Sequence, residues 1–324
     1  MKPLALTSGF ASRYRSRADL LAQVSTLYYL DGRSQESIAK RFRISRSKVS
    51  RLLCAARDAG IARITVKSPP GVLATLEVEL EARFKLREVR IVPLASGGAL
   101  EMERRKLGIA AAADFARTVK DGYTVGLVGG ALLASMIDAV APMVRTGAHV
   151  IQGVGWEYAP TDRTLMSLVW ELANRIQATA VMLSAPSMPG SEAMRRGLEA
   201  DPRIGDTLRT LATLDTLYVE VAPGVSRMTT NVLPHRKPVA VGHVALRHFD
   251  HRGRMLGTGA DGHVVGITVE QMRRARHVVA LAHGAAHAPV IAAAMRTGLI
   301  DTLITDELTA RAIAALPILK KKDE

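Results

Sequence analysis

The sequence predicts an α/β protein of two domains: an amino-terminal helix-turn-helix unit of winged type, then a doubly wound, mostly parallel α/β domain. Three observations carry that prediction. Between Ser34 and Leu53 two short helical patterns follow each other across a tight turn. Residues 1–70 hold 14 Lys and Arg against 4 Asp and Glu, a net of +10 out of the +14 carried by all 324 residues. From residue 72 onward, β-rich runs alternate with helical stretches, the pattern of a parallel sheet covered on both faces. A chain of this length, 48% hydrophobic, can bury two cores without covalent staples.

Residues 1–17 contain no acidic residue and no continuous apolar core of signal-peptide length, so they read as a flexible basic arm. Ala18 to Leu30 places Leu20, Leu21, Val24, Leu27 and Tyr28 on one side of a helix that Asp31-Gly32 ends. Ser34 can cap the next helix, with Ile38, Ala39 and Phe42 inward, and Ser45 can cap the one after. In that third helix Val49, Leu52, Leu53 and Ala56 share a stripe. The opposite face carries hydroxyls and cations and no acid. Such side chains contact phosphates, and Arg or Lys can grip guanine in a major groove wide enough for one helix. The residues assigned to double-stranded DNA are Ser34, Gln35, Arg43, Ser45, Arg46, Ser47, Lys48, Ser50 and Arg51. The plainer reading is a helical hairpin with a solvated basic face; segregation of positive charge into this fifth of the chain favours DNA, where affinity comes largely from counterion release.

The single Cys54 excludes a disulfide framework and reads as an inert small side chain off the apolar stripe, in keeping with a cytoplasmic protein. Asp58-Ala-Gly60 stops the helix, Ile61 to Val66 alternates like a strand or wing, and residues 68–71 form a Pro/Gly linker. These boundaries give an arm at 1–17, a DNA-binding domain at 18–67 and a second domain at 72–324. The helix from Val72 to Phe84 reads either as a dimerisation seam or as a helix docked on its own domain.

Strands are expected at Val89–Leu94, Thr124–Val128, His149–Val154, Ala178–Leu183, Leu217–Val221, Val239–Val244, Val264–Thr268, Val278–Ala282 and Thr302–Thr305. In such sheets ligands bind beyond the carboxyl ends of the strands. Gly129-Gly130 before a helix reads equally as an anion-binding turn or a sterically required one. The histidines lack compact metal-ligand spacing and no cysteine accompanies them, so no metal is expected. No catalytic triad, Walker loop or dinucleotide fingerprint is present, so neither catalytic residues nor a cofactor are expected. Val278 to Met295 is too interrupted by His283, Gly284, His287 and Pro289 to span a bilayer, and no membrane partner is expected.

Residues 18–316 resemble the SorC-type, or sugar-binding-domain, bacterial transcriptional regulators. The resemblance rests on Tyr28 to Ala39 (YYLDGRSQESIA) and Ile44 to Leu53 (ISRSKVSRLL), motifs common to many regulators. More specific is the ordered late set: Arg247 to Gly253 (RHFDHRG), Val265 to Thr268 (VGIT), Ala288 to Met295 (APVIAAAM) and Leu303 to Ala310 (LITDELTA). The resemblance implies an effector domain similar to sugar-phosphate isomerases and CoA transferases. It also implies palindromic operators, a homo-oligomer built as a dimer of dimers, and a carbohydrate-type metabolite that changes DNA binding. Combined with the strand-end loops, it places the effector site at Gly129, Gly130, Gly153, Gly155, Gly224, His243, Asp250, Asp261, His263, His287 and Asp306. The competing reading is an isomerase- or deaminase-type enzyme with a fused DNA-binding head, in which Asp261, Asp306 and Glu307 would supply acid-base chemistry.

The departures from the family pattern carry information. Where the family typically shows Trp-Gly-Arg-Thr, this chain has Gly129-Gly130-Ala131-Leu132; His263 and His287 stand where Arg and Lys are usual, and His243 where Asp is usual. Neutral imidazole grips phosphate less firmly than a guanidinium fork. The effector is therefore expected to be less anionic than a sugar phosphate, unless cations such as Arg163 or Arg227 compensate. In the helix-turn-helix, Arg43 replaces the common turn glycine, at a cost of about 1 kcal/mol.

Overall fold

The computed structural model describes residues 16–59, 61–62, 72–93, 100–156, 163–224, 240–257 and 263–318. Most of the basic arm, residues 63–66 of the expected wing, the linker, Arg227 and Asp261 lie outside those residues. The chain divides into two compact units, Met1–Pro69 and Pro70–Glu324.

The first unit holds α1 (Arg17–Ser25), α2 (Gln35–Phe42) and α3 (Arg46–Asp58). The expected single helix from Ala18 to Leu30 instead changes winding at Thr26–Leu30, which forms a π-turn. Ser34 and Ser45 cap α2 and α3 as their spacing predicts, accepting from Ser37 N at 3.1 Å and Lys48 N at 3.2 Å. Leu20, Val24, Leu27, Ile38, Phe42, Val49 and Leu53 form one buried cluster that fixes the angle between the helices.

The second unit opens with α4 (Val72–Phe84), then β1 (Glu88–Val92), α5 (Leu100–Thr118), β2 (Thr124–Val128), α6 (Ala131–Ala139), β3 (His149–Gln152), α7 (Leu165–Ile176) and β4 (Thr179–Val181). After α8 (Glu192–Ala200) and α9 (Pro202–Thr210) come β5 (Thr216–Pro223), β6 (Ala240–Val244) and β7 (Arg247–Asp250). The chain then passes through α10 (Val269–Arg274), β8 (His277–Leu281), α11 (Ala288–Arg296), β9 (Thr302–Asp306) and α12 (Glu307–Ala314). Seven strands run parallel in the order β1-β9-β8-β5-β2-β3-β4, and the hairpin β6–β7 pairs antiparallel with the end of β5.

Alternate residues of the central strands serve two cores. Leu217, Val219, Val278 and Ala280 face α4, α11 and α12. Tyr218, Val279, Leu281 and Ile304 face the layer of α5, α6 and α7. Tyr218 brings a hydroxyl into that second core, where it donates to Asp114 of α5 at 2.9 Å.

The edge strand β1 would expose outward amides; Glu81 and Glu77 of α4 accept from Val89 N and Ile91 N, each at 2.8 Å. Leu76 and Leu80 of the same helix are buried in the first core, so α4 is docked on its own domain. Two strand expectations needed correction. Val264–Thr268 is not a strand: it meets the sheet through one bridge, Val154 to Gly266, and is held by the buried Arg247, whose guanidinium donates to Ile267 O at 3.0 Å and Gly266 O at 3.3 Å. Conversely, Arg247–Asp250 is a strand although it lacks the apolar alternation that predicts one: its four residues are all buried and pair antiparallel with β6.

Candidate functional sites: a basic helix and a strand-end cavity

On α3, Arg46, Ser47, Ser50 and Arg51 are exposed, whereas Val49, Leu53 and Ala56 are buried. No carboxylate among the described residues pairs with Arg43, Arg46 or Arg51, and the first turn holds no acid. Ser47 Oγ shares a hydrogen bond with Ser45 Oγ at 2.9 Å, and Arg51 Nε reaches back to Ser47 O at 3.4 Å, so the hydroxyls and guanidiniums lie along one face. Ser34 is exposed and Gln35 half-buried at the start of α2. Arg43 takes up the left-handed turn conformation, φ 51° and ψ 44°. Of the nine residues assigned to DNA, Arg46, Ser47, Ser50 and Arg51 are thus exposed on α3 with Lys48 half-buried among them, Arg43 and Ser45 lie in the turn before it, and Ser34 and Gln35 begin α2.

In the second unit the chain leaves β2 outward through β3 to β4, and leaves β5 in the other direction toward β8 and β9. That reversal between β2 and β5 is where an open parallel sheet presents a crevice beyond its strand ends. A cavity of about 480 Å³ lies there, the size of a small-molecule site.

Of the expected effector residues, Gly129, Gly130, Gly155 and His243 line the cavity. Gly155 is required sterically: a Cβ there would lie 2.4 Å from Ala185 O, so the loop after β3 passes directly over another backbone. The remaining expected residues are not among the described lining. Gly153 is buried in the backbone seam to Ile267, whose amide it accepts at 2.8 Å. Gly224 turns the chain at φ 75°, its amide donating to Val241 O. Asp250 is occupied locally: it accepts from the amides of Arg252 and Arg254 at 2.9 Å and from Arg254 Nε at 2.7 Å, so these donors hold its carboxyl below the usual range despite burial. Asp306 caps α12 through Thr309 N at 2.8 Å. His287 is exposed beside Gly284, and His263 is half-buried.

Sequence reasoning missed the cavity's most telling groups. Glu220, on β5, accepts from Gly130 N at 2.7 Å and Leu133 N at 2.9 Å, capping α6 from a strand 90 residues away. Burial pushes its carboxyl above the ordinary value, while those amides pull it back. Gln152, the last residue of β3, is 1% exposed, and its Nε2 has no hydrogen-bond partner. Burial, and then the neighbouring His248, lowers His243 to about 4, so it is a neutral ring at pH 7. Arg163 is paired with Asp138 at 2.9 Å and with Glu171; it does not bring an uncompensated positive charge to the cavity. The floor includes Ala245 and Leu246, which turn the β6–β7 hairpin at φ 51° and 60°, conformations normally given to Asn and Gly. No local sequence signal marks Glu220 or Gln152, because their roles depend on strand register.

Comparison with known proteins places this geometry. Residues 68–315 match the Sugar-bind family, described as a sugar-binding domain. The chain is 25% identical to the transcriptional regulator LsrR of Enterobacter sp. (strain 638), over 97% of this chain and 98% of that one. It is 26% identical to the deoxyribonucleoside regulator of Bacillus subtilis (strain 168), covering 92% and 98%. The crystal structure of the full-length sorbitol operon regulator SorC from Klebsiella pneumoniae shares the fold, with a TM-score of 0.74 and 20% identity over 90% of this chain and 97% of that one. A helix-turn-helix unit joined to a strand-end cavity within a matched sugar-binding domain fixes the assignment: the chain belongs to the SorC-type, sugar-binding-domain family of bacterial transcriptional regulators.

Proposed function

We propose that the protein is a DNA-binding transcriptional regulator whose operator binding is set by a small carbohydrate-type metabolite held in the strand-end cavity. The observation that carries this reading is the pairing, in one chain, of an acid-free basic helix face with a cavity at the sheet's switch point. The relatives' names point the same way: one regulates a sorbitol operon and another is a deoxyribonucleoside regulator. The operator is palindromic and is bound by paired recognition helices of a homo-oligomer, a dimer of dimers. Effector binding favours one arrangement of the larger domains and so changes the spacing of half-sites that must lie roughly one helical turn apart.

An enzymatic reading draws no support from the cavity. Glu220 is the one carboxylate among its described lining residues and is engaged with two amides, while Asp306 and Glu307 serve α12, as its cap and as the partner of Arg311.

The test begins with genome-wide mapping of bound sites, followed by titration of the purified full-length protein on the recovered operator and on random duplex. Arg51→Ala is expected to weaken operator binding by about 1–3 kcal/mol, with a smaller loss on random DNA. Equal losses on both would reduce Arg51 to a phosphate contact. Failure of the intact oligomer to bind any duplex at low salt would overturn the reading.

A further inference from the structure

The cavity's electrostatics restrict what can occupy it, given that it is the effector site. At the start of α6 the first-turn amides of Gly130 and Leu133 point toward the cavity end of the sheet, and the helix dipole favours a negative group there. In this chain that group is built in. Glu220 Oε1 takes both amides, at 2.7 and 2.9 Å, and a Cβ on Gly129 would lie 2.7 Å from Glu220 Cγ, so the carboxylate fills the space beside the turn. Of the nearby cations, Arg163 pairs with Asp138 and Glu171, and the charge of Arg104 acts on Glu220.

The other polar groups lining the cavity are neutral. Gln152 offers a buried Nε2 with no partner, and the ring of His243 has a buried Nδ1 with none. A carboxylate acceptor, an amide donor and a neutral imidazole suit hydroxyl groups, which donate and accept at once. They do not suit a phosphate, which would meet Glu220 across the space its own charge needs.

We propose that Glu220 is a specificity residue: it occupies the anion cradle at the start of α6, so the effector is an unphosphorylated sugar or polyol that presents a hydroxyl there. The histidines at 263 and 287, standing where Arg and Lys are usual, pointed toward a less anionic ligand. Glu220 supplies the group that actively excludes phosphate.

The experiment titrates full-length protein with free pentoses, hexoses and hexitols and with their terminal phosphate esters. Binding is followed by fluorescence of Trp156, which lines the cavity, and by thermal shift. A parallel arm adds inorganic phosphate to wild type, Glu220→Gly and Glu220→Gln. Wild type is expected to bind the best free compound at least about tenfold tighter than its ester and to ignore inorganic phosphate. Glu220→Gly vacates the two amides and is expected to gain phosphate stabilisation and to lose the preference against esters. Glu220→Gln keeps an acceptor on those amides and removes only the charge, so it is expected to fold as wild type does and to discriminate less.

An ester preferred by wild type, the same phosphate response in wild type and Glu220→Gly, or unaltered discrimination in Glu220→Gln would each overturn the proposal while leaving the cavity as the effector site. If no carbohydrate bound but phosphate still stabilised Glu220→Gly alone, phosphate exclusion would stand and the carbohydrate reading would fall.

Discussion

The two units use the same charged residue types in opposite ways. On α3 the guanidiniums of Arg46 and Arg51 are exposed and have no carboxylate partner among the described residues. Around the cavity Arg163 is ion-paired, Glu220 is held by two amides and His243 is uncharged. The first surface suits a polyanion whose condensed counterions can be displaced; the second suits a small neutral molecule recognised by hydrogen-bond geometry. The first surface is therefore expected to be salt-sensitive and the second not, with charge pairing rather than charge count separating them.

The largest expected effect follows from that contrast. Raising monovalent salt from about 50 to about 200 mM should weaken operator binding on the order of a thousandfold for a protein making several phosphate contacts. Effector affinity of the same protein should change by less than about twofold, because the cavity groups are neutral or compensated. Parallel salt titrations of DNA and effector binding check this. Similar slopes for both ligands would break the comparison, since they would require an anionic effector.

Acidity should separate the units next. None of the nine histidines precedes His149, so the amino-terminal unit has none to titrate. His243 is held at about 4 in the folded chain, against about 6.5 when unfolded. As pH falls below about 6.5 the unfolded chain takes up a proton that the folded chain refuses until about 4, so stability is full above that window and is lost on descending through it. Between pH 7 and 5 this amounts to about 2 kcal/mol. Urea unfolding of the larger domain at the two pH values should show the loss in wild type and a smaller one in His243→Gln. The same pH dependence in both proteins would assign the effect elsewhere, with His277 and His283, both also lowered mainly by burial, as the next groups to replace.

The two units also differed in how much of them could be read from sequence. Ser34, Ser45 and the stripe through Val49, Leu53 and Ala56 interact within about a turn of helix, so local spacing was enough to place α2, α3 and their exposed faces. Strands of the parallel sheet were legible for the same reason: Thr124–Val128 is a short, largely buried run with Val125, Leu127 and Val128, bounded by turn residues. The cavity was only half legible. Glycines at strand ends advertise close backbone approach, which is how Gly129, Gly130 and Gly155 were found. Glu220 and Gln152 became cavity residues only because β5 and β3 flank β2 in register, with Leu127 opposite both Tyr218 and Gln152. Asp250 and Asp306 lie outside the described lining and accept local backbone amides instead, a common use of a carboxylate in a strand-end loop.

The smallest effect concerns the one non-glycine residue described in the amino-terminal unit that takes a positive φ. Arg43 sits at φ 51°, where the Schellman-like turn sends Ile44 N to Ala39 O at 3.0 Å. A side chain in that conformation costs about 1 kcal/mol that glycine would not pay. Arg43→Gly should therefore stabilise α2 and α3 by no more than roughly 0.5 kcal/mol, after the extra entropy glycine loses on folding. Amide hydrogen exchange of the full-length protein is the appropriate measurement, because it reads the two helices separately from the larger domain. If the strain is kept for the sake of a phosphate contact, the same variant should bind operator and random DNA equally more weakly, with a salt slope lower by about 1. A stabilised variant with an unchanged slope would remove Arg43 from the interface and leave the strained turn without a DNA-binding rationale. A destabilised variant would instead show that the Arg43 side chain packs in the turn, and that the exposed face of α3 begins at Arg46.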